Sequence, residues 1–297
     1  MAQGGIEAAI KAAAQTIEKS LEDLLPKGDG PERRVFEAMR YGTLNGGKRL
    51  RPFLVLTGAD LFDVPREQSL RVAAAAEFVH CYSLVHDDLP AMDDDDLRRG
   101  KPTTHIKYDE ATAILAGDGL LTLAFEVLTD PATHRSGEVR ADLALSMARA
   151  IGAHGMVGGQ MFDLQAEKLD LDIGAVTRLQ QMKTGALIAY ASEAGAILGQ
   201  ASAEGRQALR MYAHDVGLAF QIADDLLDEE GAEEEVGKKV GKDAEAGKAT
   251  FVSLLGAERA RAQADMLAEQ AGKHLDLFGE RADLLRLIAR FVVERRT

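Results

Sequence analysis

Apolar positions recur along this chain at intervals of three and four residues, the spacing that lines one face of an α-helix. Ile6, Ile10, Ala13, Ile17 and Leu21 fall on one face of a first predicted helix. A second starts after Pro31, a favourable first helical position, and runs to about Tyr41. Leu50 to Phe62 reads as a third. Pro65 opens a long fourth helix that runs through Ala73–Ala76 to about Asp88, where Pro90 ends or kinks it. Asp109 to Leu128, Glu138 to Ile151, Met156 to Glu167 and Ile173 to Leu198 continue the pattern. Glu204 to Glu229, Glu258 to Gln270 and Arg281 to Glu294 complete it. Alternating β-branched runs and Asn-Gly hairpin signals are nearly absent. Gly231 to Lys248 is the one long stretch that reads as a flexible loop, acidic at Glu233–Glu235 and then basic at Lys238, Lys239, Lys242 and Lys248. No Pro/Gly/Ser-rich linker divides the chain. The expectation is a single all-α domain over residues 1–297, one large helical bundle.

Composition supports that class and narrows the function. The chain is 46% hydrophobic but only 5% aromatic, without Trp, so its core is built from Ala, Leu, Ile, Val and Met. A net charge of −13 gives no general attraction for a nucleic-acid backbone, so that class of partner is excluded and any phosphate must sit at local basic clusters. Cys81 is the single cysteine, which rules out an intramolecular disulfide and fits a reducing cytosol. Met1 to Ser20 carries Glu7, Lys11 and Glu18 and lacks the apolar core of a signal peptide. The most apolar stretch, Thr184 to Gly199, contains Ser192 and Glu193. The expectation is a cytoplasmic protein with no stable membrane insertion.

Two acidic runs carry the candidate chemistry. Asp87, Asp88, Asp93, Asp94, Asp95 and Asp96 lie within ten residues, bracketed by His86 and by Arg98 and Arg99. Two such charges at ~4 Å repel by roughly 4 kcal/mol at an effective dielectric of about 20. The run is tolerable if it is solvated or holds cations, and taken alone it reads equally as a solvated acidic loop. Asp224, Asp225 and Asp228 differ, because they sit inside an apolar helix. Asp224 and Asp228 share a helix face that is hard to bury without a counter-ion. Alone, this second run also reads as an exposed helix end. Two facing acidic surfaces would make an all-oxygen cage that suits magnesium, whereas zinc would want Cys or His clusters.

Basic residues are sparse but placed. Gly46-Gly47-Lys48-Arg49-Leu50-Arg51-Pro52 is a glycine turn leading into a helix, whose N–H groups, Lys48 and Arg51 could hold a diphosphate. It also reads as an ordinary basic cap, and it lacks the spacing of a P-loop. Lys183-Thr184-Gly185 interrupts an apolar helix as a kink or packing site. No Ser–His–Asp pattern or activated Cys is evident. Metal-assisted departure of a diphosphate fits these pieces best.

In this order the motifs resemble the trans-prenyl diphosphate synthase family, over nearly the whole chain from Tyr41-Gly42 to Arg295-Arg296. Asp87 to Gly100 is similar to that family's first Asp-rich motif, with the two-residue insertion common in bacterial members. Gln221 to Asp228 is similar to the second. The resemblance implies the isoprenoid synthase fold and a substrate pair of isopentenyl diphosphate and an allylic diphosphate. It implies about two or three magnesium ions per site, with Asp87 and Asp93 as ligands on one side and Asp224 and Asp228 on the other, and Asp88 beside them in the catalytic motif. On an unbroken helix Asp94 would fit the Asp87 face better than Asp93, but Pro90 argues against an unbroken helix. By resemblance, Arg98, Lys183 and Lys238 hold the allylic diphosphate, and Lys248 is a further substrate-binding residue. Gly47, Lys48, Arg51, His80 and Arg99 hold isopentenyl diphosphate. Thr184 and Gln221 line the allylic cation, Gly231–Lys248 acts as a lid, and the enzyme is a homodimer joined through Asp109–Leu128. Tyr82, with Ser83, precedes Asp87 by about 7.5 Å of helical rise. The resemblance associates an aromatic there with a C15 product, while Tyr82 also reads as a packed core residue.

Four alternatives are weighed against the sequence. A C20-producing member of the family would share every motif. A class I terpene cyclase needs no second diphosphate site, which the Lys48/Arg51 cluster supplies. A non-catalytic regulatory homologue would have lost an Asp motif, and this chain retains both. A calcium-binding bundle would need EF-hand spacing, which the acidic run lacks.

Overall fold

A computed structural model describes residues 3–166, 169–230 and 249–294. Helices α1 (Gln3–Leu24), α2 (Arg33–Thr43), α3 (Leu50–Asp60) and α4 (Arg66–Asp87) form the first half of the bundle. A short antiparallel hairpin follows, β1 (Leu97–Arg98) on β2 (Lys101–Pro102), and then α5 (Thr104–Lys107). Next come α6 (Glu110–Thr129), α7 (Gly137–Ile151), α8 (Met156–Ala166) and α9 (Ile173–Gln180). A π-helical turn, Gln181–Gly185, joins α9 to α10 (Ala186–Leu198). The chain closes with α11 (Ala203–Glu230), α12 (Phe251–Leu255), α13 (Ala257–His274), a 3₁₀ segment (Asp276–Ala282) and α14 (Asp283–Glu294).

Helices α4 and α10 are the packed centre. Val72 to Ala76, Phe78 and Val79 of α4 are fully buried, and α10 packs against α3, α4, α7 and α11. Neither helix shows a strong apolar stripe, because each is covered on most sides. Small side chains at Ala73–Ala76 let the neighbouring helices approach closely. Helices facing water are instead fixed at their ends: Asp109 accepts from the Thr112 amide at 2.7 Å to start α6, and Asp172 accepts from the Ala175 amide at 2.8 Å to start α9.

Several expected boundaries move. Helix α2 starts at Arg33, with Glu32 as its cap, so Pro31 lies before the helix. The expected single helix from Ile173 to Leu198 is broken by the π turn at Lys183-Thr184-Gly185. The last helix begins at Asp283, after a 3₁₀ segment whose Gly279 leaves helical geometry. The hairpin, α5 and α12 leave no periodic signal in the sequence, because elements of two to five residues are too short to show one. Helix α6 is long and apolar enough to cross a membrane, but it packs against α2, α4, α5 and α7 in the bundle.

Candidate active site

The turn before α3 sets the basic side of the site. Gly46 and Gly47 have φ of 77° and 126°, and Arg49 is also left-handed at 52°. Such backbone costs a non-glycine residue energy and persists because its surroundings hold it. For Arg49 that hold is visible. Its buried guanidinium donates to Glu77 at 2.6 Å, to Glu18 at 2.8 Å and to the Thr43 carbonyl at 2.8 Å. Helices α1, α2 and α4 are thereby tied to the start of α3, and Lys48 and Arg51 take fixed places on either side.

Arg51 lies 3.5 Å from His80 of α4, Nη1 to Nε2. Arginine can only donate, so Nε2 accepts and Nδ1 carries the ring proton. Burial, together with the charges of Arg51 and Arg99, holds the His80 imidazole well below its usual range, so it is neutral at neutral pH. Arg51 Nε is a buried donor with no hydrogen-bond partner among the described residues. Buried donors of this kind call for a partner. Arg99 of the hairpin reaches back and donates to the Gly46 carbonyl. A Cβ at Gly47 would come within 2.6 Å of the Arg99 guanidinium, so only glycine lets that side chain lie over the turn.

Gly47, Lys48, Arg51, His80 and Arg99 all line one cavity of about 1800 Å³, and Asp224 of α11 lines it too. Arg51 feels the charge of Asp224 as well as that of Glu77. Apolar wall comes from Ile10 of α1, Ile188, Phe220 and Leu227.

Asp87, Asp88, Asp93, Lys183, Thr184 and Gln221 do not line that cavity. Asp87 lies seven residues after His80 on α4, about 10.5 Å along the same face. Pro90 stops the helix and the chain turns back, so the Asp93 amide donates to the Asp87 carbonyl at 2.8 Å. Asp94, left-handed at φ 51°, instead donates its amide to the Leu89 carbonyl. Asp93 therefore stands beside Asp87. Burial pushes the Asp87 carboxyl up to about 6, the Lys183 charge opposes that rise, and the Asp93 charge adds to it. Asp88 is buried and committed: Arg98 Nε donates to it at 2.7 Å. Lys183, on the π turn, is 2.7 Å from Asp163 of α8.

On α11, Asp224, Asp228 and Gln221 are half-buried, whereas Asp225 is buried and accepts from the Phe251 amide at 2.8 Å. Asp225 thus ties α11 to the first turn of α12, which Thr250 caps. No three carboxylate or imidazole groups converge as a ready metal cage among the described residues. The donor set still fits magnesium, which takes a few carboxylates and leaves positions for phosphate oxygens. A desolvated Asp87 beside Asp93 is the like-charge crowding that a cation relieves. Lys238, Lys248 and the rest of Gly231–Lys248 lie outside the described residues. Tyr82 does not line the cavity; it is buried in the main core, its ring edge-on to His86 at 5.7 Å, and the Asp87 charge bears on its hydroxyl. Ser83 donates to the His80 carbonyl at 2.9 Å.

Sequence reasoning missed Arg49 and Asp163. Arg49 lines the cavity beside Lys48 and Arg51, and in the sequence nothing sets it apart from them, although its guanidinium is held by Glu18, Glu77 and the Thr43 carbonyl. A lone acid in an apolar helix was the available signal for Asp163.

The family model for polyprenyl synthetase matches residues 32–284. The chain belongs to that family. It is 44% identical to the farnesyl diphosphate synthase of Escherichia coli, over 98% of this chain and 97% of that protein. It is 40% identical to a geranylgeranyl diphosphate synthase of Cyanophora paradoxa, over 95% and 93%. Among solved structures, an FPP/GFPP synthase of Zymomonas mobilis without ligand superposes with a TM-score of 0.89 at 49% identity, over 98% and 99% of the two chains. These relatives carry the isoprenoid synthase bundle, so the expected all-α fold class stands.

Proposed function

We propose that this protein is a magnesium-dependent trans-prenyltransferase that condenses isopentenyl diphosphate with dimethylallyl and then geranyl diphosphate to give farnesyl diphosphate. The observation that carries this reading is one cavity in which a cationic pocket, with a buried unsatisfied Arg51 Nε, opens onto the carboxylate of Asp224. A cavity of about 1800 Å³ has room for a diphosphate and an isoprenoid chain.

The roles assigned here combine the cavity lining with the family resemblance. Lys48, Arg51 and Arg99, with neutral His80, hold the isopentenyl diphosphate and fix its double bond. Lys183, Arg98 and Lys238 hold the allylic diphosphate, and Lys248 is assigned to substrate binding as well. Asp87 and Asp93 would hold magnesium on one side and Asp224 and Asp228 on the other. When bound, magnesium neutralises charge developing on the departing diphosphate. The allylic C–O bond breaks, Thr184 and Gln221 turn their oxygens toward the cation, and the isopentenyl double bond attacks it. The proton then lost goes to the departed diphosphate. The apolar wall excludes water that would otherwise capture the cation.

A homodimer is part of this proposal. Ile114 and Leu115 of α6 are 45% and 58% exposed, and a second copy is the occupant we assign to that face. Sedimentation velocity tests it, and a monomer at micromolar concentration would refute it. The relatives cover both C15 and C20 products, so the activity test is product length. Radiolabelled isopentenyl diphosphate is incubated with dimethylallyl or geranyl diphosphate, with and without magnesium. Farnesyl diphosphate formed with magnesium supports the reading. Mainly C20 product would move the protein to geranylgeranyl diphosphate synthesis, and no turnover would refute it.

A further inference from the structure

The π turn at Gln181–Gly185 carries Lys183 and Thr184, and what holds its register decides where they point. One residue inserted into a helix rotates the part before it by roughly 100° relative to the part after it. The insertion strains the ladder of backbone bonds and persists only where neighbours hold it. On one side the hold is steric. The backbone of α8 comes so near that a Cβ at Gly159 would fall 2.3 Å from the Lys183 nitrogen.

On the other side the hold is a chain of side chains. Gln181, the first residue of the turn, places Nε2 at 2.6 Å from His214 Nε2 on α11. His214 Nδ1 is 3.1 Å from Asp215 Oδ1, and His274 Nε2 of α13 is 3.0 Å from Asp215 Oδ2. Asp215 is buried, at 3% exposure. A buried carboxylate accepts, so both imidazoles donate to it. That choice puts the His214 proton on Nδ1 and leaves the Nε2 lone pair directed at Gln181, whose amide nitrogen donates. Direction therefore runs from the buried carboxylate, where α11 meets α13, out to the start of the π turn.

We propose that His214 and Asp215 are positioning residues for the allylic diphosphate: they hold Gln181, and through it the π register that aims Lys183 and Thr184 at the substrate. This rests on the reading of Lys183 and Thr184 given above. Neither residue touches substrate. Asp215 fixes the tautomer of His214, and His214 fixes Gln181. The His214 side chain is about half exposed, at 49%, so replacing it leaves the core intact.

The test measures KM for geranyl diphosphate and for isopentenyl diphosphate in full-length protein. The variants are His214→Ala, His214→Gln, Gln181→Ala, the His214→Ala/Gln181→Ala double, and Lys183→Ala as reference. Losing one hydrogen bond should raise KM for geranyl diphosphate about fivefold in His214→Ala. KM for isopentenyl diphosphate and the melting temperature should stay near the wild-type values. His214→Gln should restore most of the loss, because its Oε1 accepts where Nε2 did. The double variant should be no worse than either single, since both break the same link. An unchanged KM for geranyl diphosphate in His214→Ala, an equal rise for both substrates, or additive effects in the double would overturn the proposal. If Lys183→Ala raises that KM and His214→Ala does not, this proposal alone fails. If Lys183→Ala leaves it unchanged, the allylic-site reading fails and takes the proposal with it.

Discussion

The ammonium of Lys183 stands 2.7 Å from the Asp163 carboxylate, and this pair joins α8 to the π turn across the site. Both side chains are largely shielded, so the bond is stronger than a surface pair. It also keeps Lys183 extended beside Asp87, whose carboxyl feels its charge. Asp163→Asn should therefore raise KM for the allylic diphosphate about tenfold, the effect of losing a charge-assisted hydrogen bond that orients a ligand group. KM for isopentenyl diphosphate should barely change. Equal KM values for wild type and variant would show that Lys183 needs no such anchor.

Gly47 has a different vulnerability. Alanine there must adopt φ 126° and would strike the Arg99 guanidinium. Gly47→Ala should lower stability by about 1–2 kcal/mol and should raise KM for isopentenyl diphosphate by displacing Arg99. Urea unfolding and steady-state kinetics check the two halves separately. Unaltered kinetics in a folded variant would remove Arg99 from the isopentenyl pocket.

His80 gives a pH dependence with a definite sign. The folded protein keeps this imidazole neutral below its ordinary value of 6.5, because of burial and the neighbouring Arg51 and Arg99 charges. As pH falls through 6.5 the unfolded chain binds a proton there and the folded chain does not, so stability is lost toward acid. His80→Gln cannot titrate. Its melting temperature should drop less than the wild type's between pH 7.5 and 5.5, and parallel curves would contradict this assignment.

Much of this was legible in the sequence, for identifiable reasons. Long helices with repeated apolar faces, α1 and α11 among them, announce themselves through spacing. Asp224 and Asp228 stood out because carboxylates inside an apolar helix are costly without a partner. What spacing does not carry is commitment. Asp88 looks like Asp87 in the sequence, yet Arg98 holds it. Asp225 looks like Asp224, yet it bonds the Phe251 amide. Those partners lie ten and twenty-six residues away, and only the fold brings them in. The π turn was visible as an interruption at Lys183-Thr184-Gly185, but its geometry depends on α8 and α11 packing against it.

Tyr82 carries the product-length expectation. It is packed in the core below the Asp87 run, edge-on to His86. Truncation opens space beside the site equal to most of an aromatic ring, at a cost of about 3–5 kcal/mol. Tyr82→Ala should shift products toward C20, read by chain-length chromatography of radiolabelled product. An unchanged C15 distribution from folded variant would assign chain length to another wall.

The central claim is that the two Asp-rich segments grip one allylic diphosphate through shared metal ions. A crystal structure with manganese and an unreactive thiolo analogue of geranyl diphosphate tests it directly, because manganese is located by its anomalous signal. The account predicts manganese on Asp87 and Asp93 and again on Asp224, with the same diphosphate bridging them and touching Lys183. A diphosphate bound away from Asp224, or metal confined to one segment, would contradict it.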